Sequence, residues 1–133
     1  MVVVIILGVL AALALPNFNI QVKKAKSQEA VQVLLAIYGA QKDYAKENDD
    51  GNAETPDYTD DINNLDVHIE GLKNFQDPVV NAVVDPCGSS AQYLASIASK
   101  DGDYILYVLE DATIVCADGN GNCPAELCTK MGF

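Results

Sequence analysis

The chain opens Met1-Val2-Val3-Val4-Ile5-Ile6-Leu7-Gly8-Val9-Leu10-Ala11-Ala12-Leu13-Ala14-Leu15-Pro16, with no charged or polar side chain before Asn17. Most of these side chains are large and apolar, and burying one fully is worth about 1.5–3 kcal/mol. Such a segment has to sit in lipid, in a core, or against copies of itself. As a helix, fifteen residues reach about 22 Å, short of the roughly 20 residues that cross a bilayer. Two readings repair the deficit. In one, the segment is the apolar core of a secretory signal, with Ala12-Leu13-Ala14 as its small-residue cleavage site. In the other it is a retained anchor, a transmembrane helix whose opening residues precede Met1. A signal wants a basic stretch at its start and none is present, so the anchor is the expectation.

Charge divides the remainder. Residues 1–48 hold five lysines against three acids, a net of +2, whereas residues 49–133 hold three lysines against sixteen acids, a net of −13. Arginine is absent. Nucleic-acid binding needs a basic stripe to neutralise phosphates, so this balance argues against it. An acidic, self-repelling outer surface fits it better.

All four cysteines, Cys87, Cys116, Cys123 and Cys128, lie between residues 87 and 128. An even count behind an apolar leader reads as disulfides formed in an oxidising compartment. Zinc is the rival, but only Cys123 and Cys128 have ligand-pair spacing. Of the three connectivities that four cysteines allow, Cys116 with Cys128 and Cys87 with Cys123 is the favoured one.

Past Pro16 the pattern turns amphipathic. Proline lacks the helical N–H and clashes with the preceding turn, so Pro16 is expected to kink or interrupt the helix, with Gly8 a second weak point. From 17 to 48 a helix is expected, apolar at Val31, Leu34, Tyr38 and Ala45 and at Val33, Ile37, Ala40 and Tyr44, a face wide enough to lie on a sheet. Lys42 and Lys46 read as solvated. Lys23, Lys24 and Lys26 read as lying near lipid headgroups, and the sharper alternative pairs them with acids of neighbouring copies. An acidic loop follows over 49–78, with a short helix capped by Thr59 or Asp60 and carrying Ile62 and Leu65. Residues 93–99, 104–109 and 113–117 read as strands of an antiparallel meander, turning at Lys100-Asp101-Gly102-Asp103 and at Glu110-Asp111-Ala112. Residues 79–84 are a further strand or a loop. The glycine- and asparagine-rich tail needs its staples. The class is therefore α+β, with segment 1–16 for assembly or membrane and a globular domain over 17–133, its sheet and disulfide-closed tail spanning 79–133.

Nothing in the sequence forms a catalytic constellation, and no enzyme activity or cofactor is expected. Asp118-Gly119-Asn120-Gly121-Asn122 alternates oxygen side chains as a calcium loop does, yet Cys123 and Thr129 stand where an EF-hand needs its turn glycine and its closing glutamate. A looser calcium site at Asp118, Asn120 and Asn122, with Glu126, is a weak candidate beside a plain polar turn. Asp49-Asp50-Gly51-Asn52 is weaker still. His68, the single histidine, reads as a surface residue.

The run from Met1 to Pro16, with Asn17 and Phe18 after it, resembles the amino-terminal helix of type IV pilins and of the related type II secretion pseudopilins. The order of long helix, acidic loop, antiparallel sheet and cysteine-closed tail is similar to theirs, and Cys128-Thr129-Lys130-Met131-Gly132-Phe133 is similar, less closely, to pilin tails. Family members open with a phenylalanine and carry a glutamate four residues later. Both would lie just before Met1, so the sequence is expected to begin inside the mature chain.

The resemblance implies the pilin fold and an extracellular filament of identical subunits. It also implies an inner-membrane stage before assembly, and partners in a prepilin peptidase and the assembly machinery. The expected assembly interface is Val2, Val3, Val4, Ile5, Ile6, Leu7, Val9, Leu10, Leu13 and Leu15. Helix melting in the filament is expected between Gly8 and Leu15, because Gly8 and Pro16 weaken the helix there. Adhesion, motility and DNA uptake are the roles such a pilus serves. The first alternative is the major pseudopilin of a type II secretion system, and the second is a singly displayed, membrane-anchored binding module.

Overall fold

The computed structural model describes residues 2–49, 51, 56–69, 71–84, 87–88, 92–123 and 125–133, with the side chains of 13–17 and 81–84 left out. One helix dominates. α1, Val2–Glu47, runs 46 residues, about 69 Å at 1.5 Å per residue. A 3-10 turn at Ile62–Asn64 follows, then strands β1 (Val79–Val84), β2 (Gln92–Ala98), β3 (Tyr104–Leu109) and β4 (Ile114–Asp118), and a short closing helix α2 (Glu126–Met131). The strands form one antiparallel sheet in the order β1-β2-β3-β4. The α+β class and the meander stand as expected, and 79–84 is the fourth strand.

The second half of α1 lies on this sheet. Ser27, Ala30, Leu34, Ile37, Gln41 and Ala45 are buried, a three-and-four spacing that keeps one stripe of a 3.6-residue helix facing inward. Ala30, Leu34 and Ile37 meet Leu94, Ile97, Leu106 and Val108 in a single core. Two of the six are polar and were absent from the expected face. Ser27 turns its hydroxyl back to the Lys24 carbonyl at 2.7 Å. Gln41 donates from Nε2 to the Thr59 carbonyl at 2.7 Å and accepts from the Thr59 N–H at 3.1 Å. A side-chain amide there copies a strand partner and latches the 56–65 segment to the helix.

Three expectations are corrected. The helix is unbroken through Pro16: a single missing N–H leaves the flanking turns their own hydrogen bonds, and the 3-4 stripe downstream of it is already anchored to the sheet. The short turn at 62–64 is capped by Asp61, whose carboxylate accepts from the Asn63 N–H. Thr59 Oγ1 instead accepts from the Asp61 N–H. Finally, Lys42 is not merely solvated. Its ammonium lies 2.6 Å from the Tyr58 hydroxyl, which donates to Glu110 at 2.9 Å. Burial works against the Lys42 charge, but the bond to Tyr58 and the nearby Glu110 outweigh it and hold its pKa above the ordinary value.

Both disulfides are formed, Cys87–Cys123 and Cys116–Cys128. The second ties α2 to β4. One close approach fixes a glycine: a Cβ on Gly119 would stand 1.8 Å from the Gly102 carbonyl oxygen, so the 99–103 turn and the end of β4 touch only because residue 119 has no side chain.

Candidate functional site

The unusual surface is the first half of α1. Val2, Val3, Val4, Ile5, Ile6, Leu7, Val9 and Leu10 are each 54–71% exposed, and Phe18 is exposed as well. Among the described side chains of α1, the first packed against the core is Ile20. Eight large apolar side chains in water represent about 12–24 kcal/mol of burial not realised, against a whole-domain stability of about 5–15 kcal/mol. Monomeric soluble proteins do not leave so large an apolar patch uncovered, and one of this size marks a contact surface. Among the described residues nothing supplies that contact. Leu13, Leu15 and Pro16, which complete the expected interface and melting segment, have side chains outside the described residues, and so do Asp50 and Asn52 of the weaker acidic turn.

Among the described residues no helix is long and apolar enough to cross a membrane. The expected transmembrane helix is not met among them.

Where the apolar run ends, the lysines begin. Lys23 pairs with Asp103 on the turn between β2 and β3, so it serves to dock the helix and is not held at a headgroup layer. Lys24 and Lys26 are exposed and have no ion-pair partner among the described residues.

The candidate calcium loop is occupied with itself. Asp118 Oδ1 accepts from the N–H groups of Asn120 and Asn122 at 2.9 and 2.8 Å, and Asn122 Nδ2 donates to its Oδ2 at 3.1 Å. These bonds, those from Asn122 first, hold the Asp118 carboxyl below its ordinary pKa. Its charge therefore closes the 118–122 turn. Glu126 pairs with Lys130 one turn along α2. Among the described residues no group of three or more metal-binding side chains comes together. His68 is exposed, on the rim of a groove beside α1.

Sequence reasoning identified the apolar surface but missed that groove, which is built by α1 and residues 64–68. The available signal was the charge-free stretch from Ala30 to Gln41 on a helix whose outer side should be solvated. Compared with protein-family models, with curated proteins and with solved structures, the chain finds no match.

Proposed function

We propose that this chain is the structural subunit of an extracellular type IV pilus, built from identical copies whose apolar half-helices pack into a central bundle. One observation carries the reading: residues 2–12 form a helix that none of the described residues covers, on a domain otherwise folded and cross-linked. Before assembly the segment rests in lipid of the inner membrane, inserted there by the machinery that the resemblance implies. In the filament, sister helices replace the lipid. If the contacts are heterologous and their rotation does not close, addition of copies continues without limit. Two disulfides suit the oxidising space outside the cytoplasm.

In this reading the helix seen unbroken in the single chain loses hydrogen bonds between Gly8 and Leu15 on assembly, where Gly8 and Pro16 make them cheapest to lose. Electron microscopy of material sheared from the cell surface tests the proposal. Thin filaments that dissolve into this polypeptide are the expected result. Lone globules with residues 2–12 removed would sink it, and filaments confined to the periplasm would reassign the chain to the pseudopilin role.

A further inference from the structure

The two disulfides meet around one cavity. It has a volume of about 330 Å³ and is lined by all four cysteines, with Ile114 and Phe133 among its apolar walls. The two bridges differ in their surroundings. Cys116, on β4, and Cys128, on α2, are 6% and 3% exposed and belong to the hydrophobic core. Cys87 and Cys123 are half-buried and stand in connecting turns outside every helix and strand, with exposed neighbours in Gly88 and Asn122. The bridges also interleave along the chain, Cys87–Cys123 spanning 36 residues and Cys116–Cys128 spanning 12.

Thiol–disulfide exchange needs a thiolate to reach a sulfur, so access sets its rate. At Cys87–Cys123 that access exists in the folded domain. At Cys116–Cys128 it requires α2 to leave β4, an opening that exposes the core. We infer that Cys87–Cys123 is a redox-operated clasp, opened by a dithiol and closed again by a disulfide oxidant without unfolding, while Cys116–Cys128 is a permanent staple. In the opening step a thiolate of the dithiol attacks the sulfur of Cys87 or Cys123. The bond between the two cysteines breaks and a mixed disulfide forms. The second thiol then displaces it, so the reductant leaves as its own disulfide, and two electrons and two protons stay behind as two cysteine thiols. No strand pairing and no helix is lost. The loop released is nonetheless the longer of the two, and in the chain-entropy model it is the greater constraint on the unfolded state. A thiol-rich surround thus leaves the domain folded but less stable, and its persistence becomes redox-dependent.

Pulsed reduction with dithiothreitol tests this on the full chain in detergent micelles, with thiols trapped by iodoacetamide and located by peptide mass mapping. A species labelled at Cys87 and Cys123 alone should accumulate, at least about 100-fold faster than label enters Cys116 and Cys128. Its near-UV circular dichroism should match that of the parent, since the side-chain packing is kept. Oxidised glutathione should then restore the same pair. Ile37→Val separates access from unfolding, because Ile37 lies in the core that holds Cys116 and Cys128. Loosening that core should speed label at Cys116 and Cys128 about 2–10-fold and leave Cys87 and Cys123 within about 1.5-fold. Label reaching all four cysteines together, or Cys116 and Cys128 first, overturns the inference. So does an equal acceleration of both pairs by Ile37→Val, a loss of near-UV dichroism in the two-thiol species, or re-oxidation to a different pairing. None of these outcomes touches the filament reading.

Discussion

The two halves of α1 are one helix with opposite fates. From Ile20 onward a narrow stripe is sealed against the sheet, with Ala30, Leu34, Ile37 and Gln41 at 0% exposure, while the outward side is mostly polar or small, Leu35 being its one exposed large apolar side chain among the described residues. From Val2 to Leu10 every large side chain is more than half exposed, although this half is the more apolar. Hydrophobicity alone would place the first half inside. What decides is whether the chain supplies a second layer, and a four-stranded sheet with a six-residue closing helix covers only one half. The difference teaches that apolar content alone does not decide burial; on the proposed reading the partner of the exposed half is another copy.

The sharpest way to break this comparison is to place a charge in the exposed half. Ile6→Asp is expected to abolish sedimentable polymer, since a carboxylate in an apolar bundle lacks any partner. The thermal midpoint of the globular domain should stay unchanged, because a substitution at an unpacked surface moves stability within about 0.5 kcal/mol. A drop in that midpoint would mean that residues 2–12 pack on the domain, and the contrast between the halves would be lost. Next in size comes the paired truncation. Ile37→Ala should cost about 2–5 kcal/mol in denaturant unfolding with the disulfides intact, and Ile6→Ala should cost nothing measurable in the same assay. Equal losses would make the halves alike.

How much of this was legible in the sequence follows the same division. Residues 2–12 needed no structure, since a run without charge or polarity has few places to go. The strands were legible too, because Tyr, Ile, Leu and Val cluster between recognisable turns and Asp101-Gly102 supplies the left-handed residue the β2–β3 turn uses, Gly102 at φ 75°. What escaped depends on partners distant in sequence. Gln41 reads as a solvated glutamine until Thr59, 18 residues away, takes both ends of its amide. The 56–78 segment reads as free loop until Lys42, Lys100 and Glu29 are seen to hold Tyr58, Leu72 and Asn74. α2 escaped because Ala125 offers no capping side chain, leaving the 3.6 period of six residues too short to register. The groove needs two segments side by side, which no local window contains.

pH separates the halves in a different manner, since residues 2–12 hold no ionisable side chain. Tyr104, 2% exposed beneath the sheet edge, has its hydroxyl pushed up to about 12, by burial first and then by the charges of Asp101 and Asp103. The unfolded chain releases this proton near pH 10. Stability is therefore full below about pH 10 and falls between about 10 and 12, by at most about 2 kcal/mol once solvent screening is allowed for. Comparison of Tyr104→Phe with the parent across that window isolates the effect, because the variant lacks this component of the slope. Parallel slopes for the two proteins would show that Tyr104 ionises freely in the folded domain.

The smallest effect discriminates most finely. Gly8 and Gly39 sit one in each half of α1, and a Cβ at either would meet nothing within 4 Å. Alanine at each gains about 0.5–1 kcal/mol of helix propensity. For Gly39→Ala the gain should appear in the unfolding free energy of the domain, because that turn melts together with the sheet it covers. For Gly8→Ala it should not, since the exposed half unwinds independently of the core. The gain should appear instead in filaments, as slower amide hydrogen exchange over residues 8–15, because the methyl opposes the melting that the proposed assembly involves. If Gly8→Ala stabilised the isolated domain as much as Gly39→Ala, the two halves would be one cooperative unit. If it left filament exchange unchanged, the helix would pass through the bundle intact, and Gly8 would have no part in assembly.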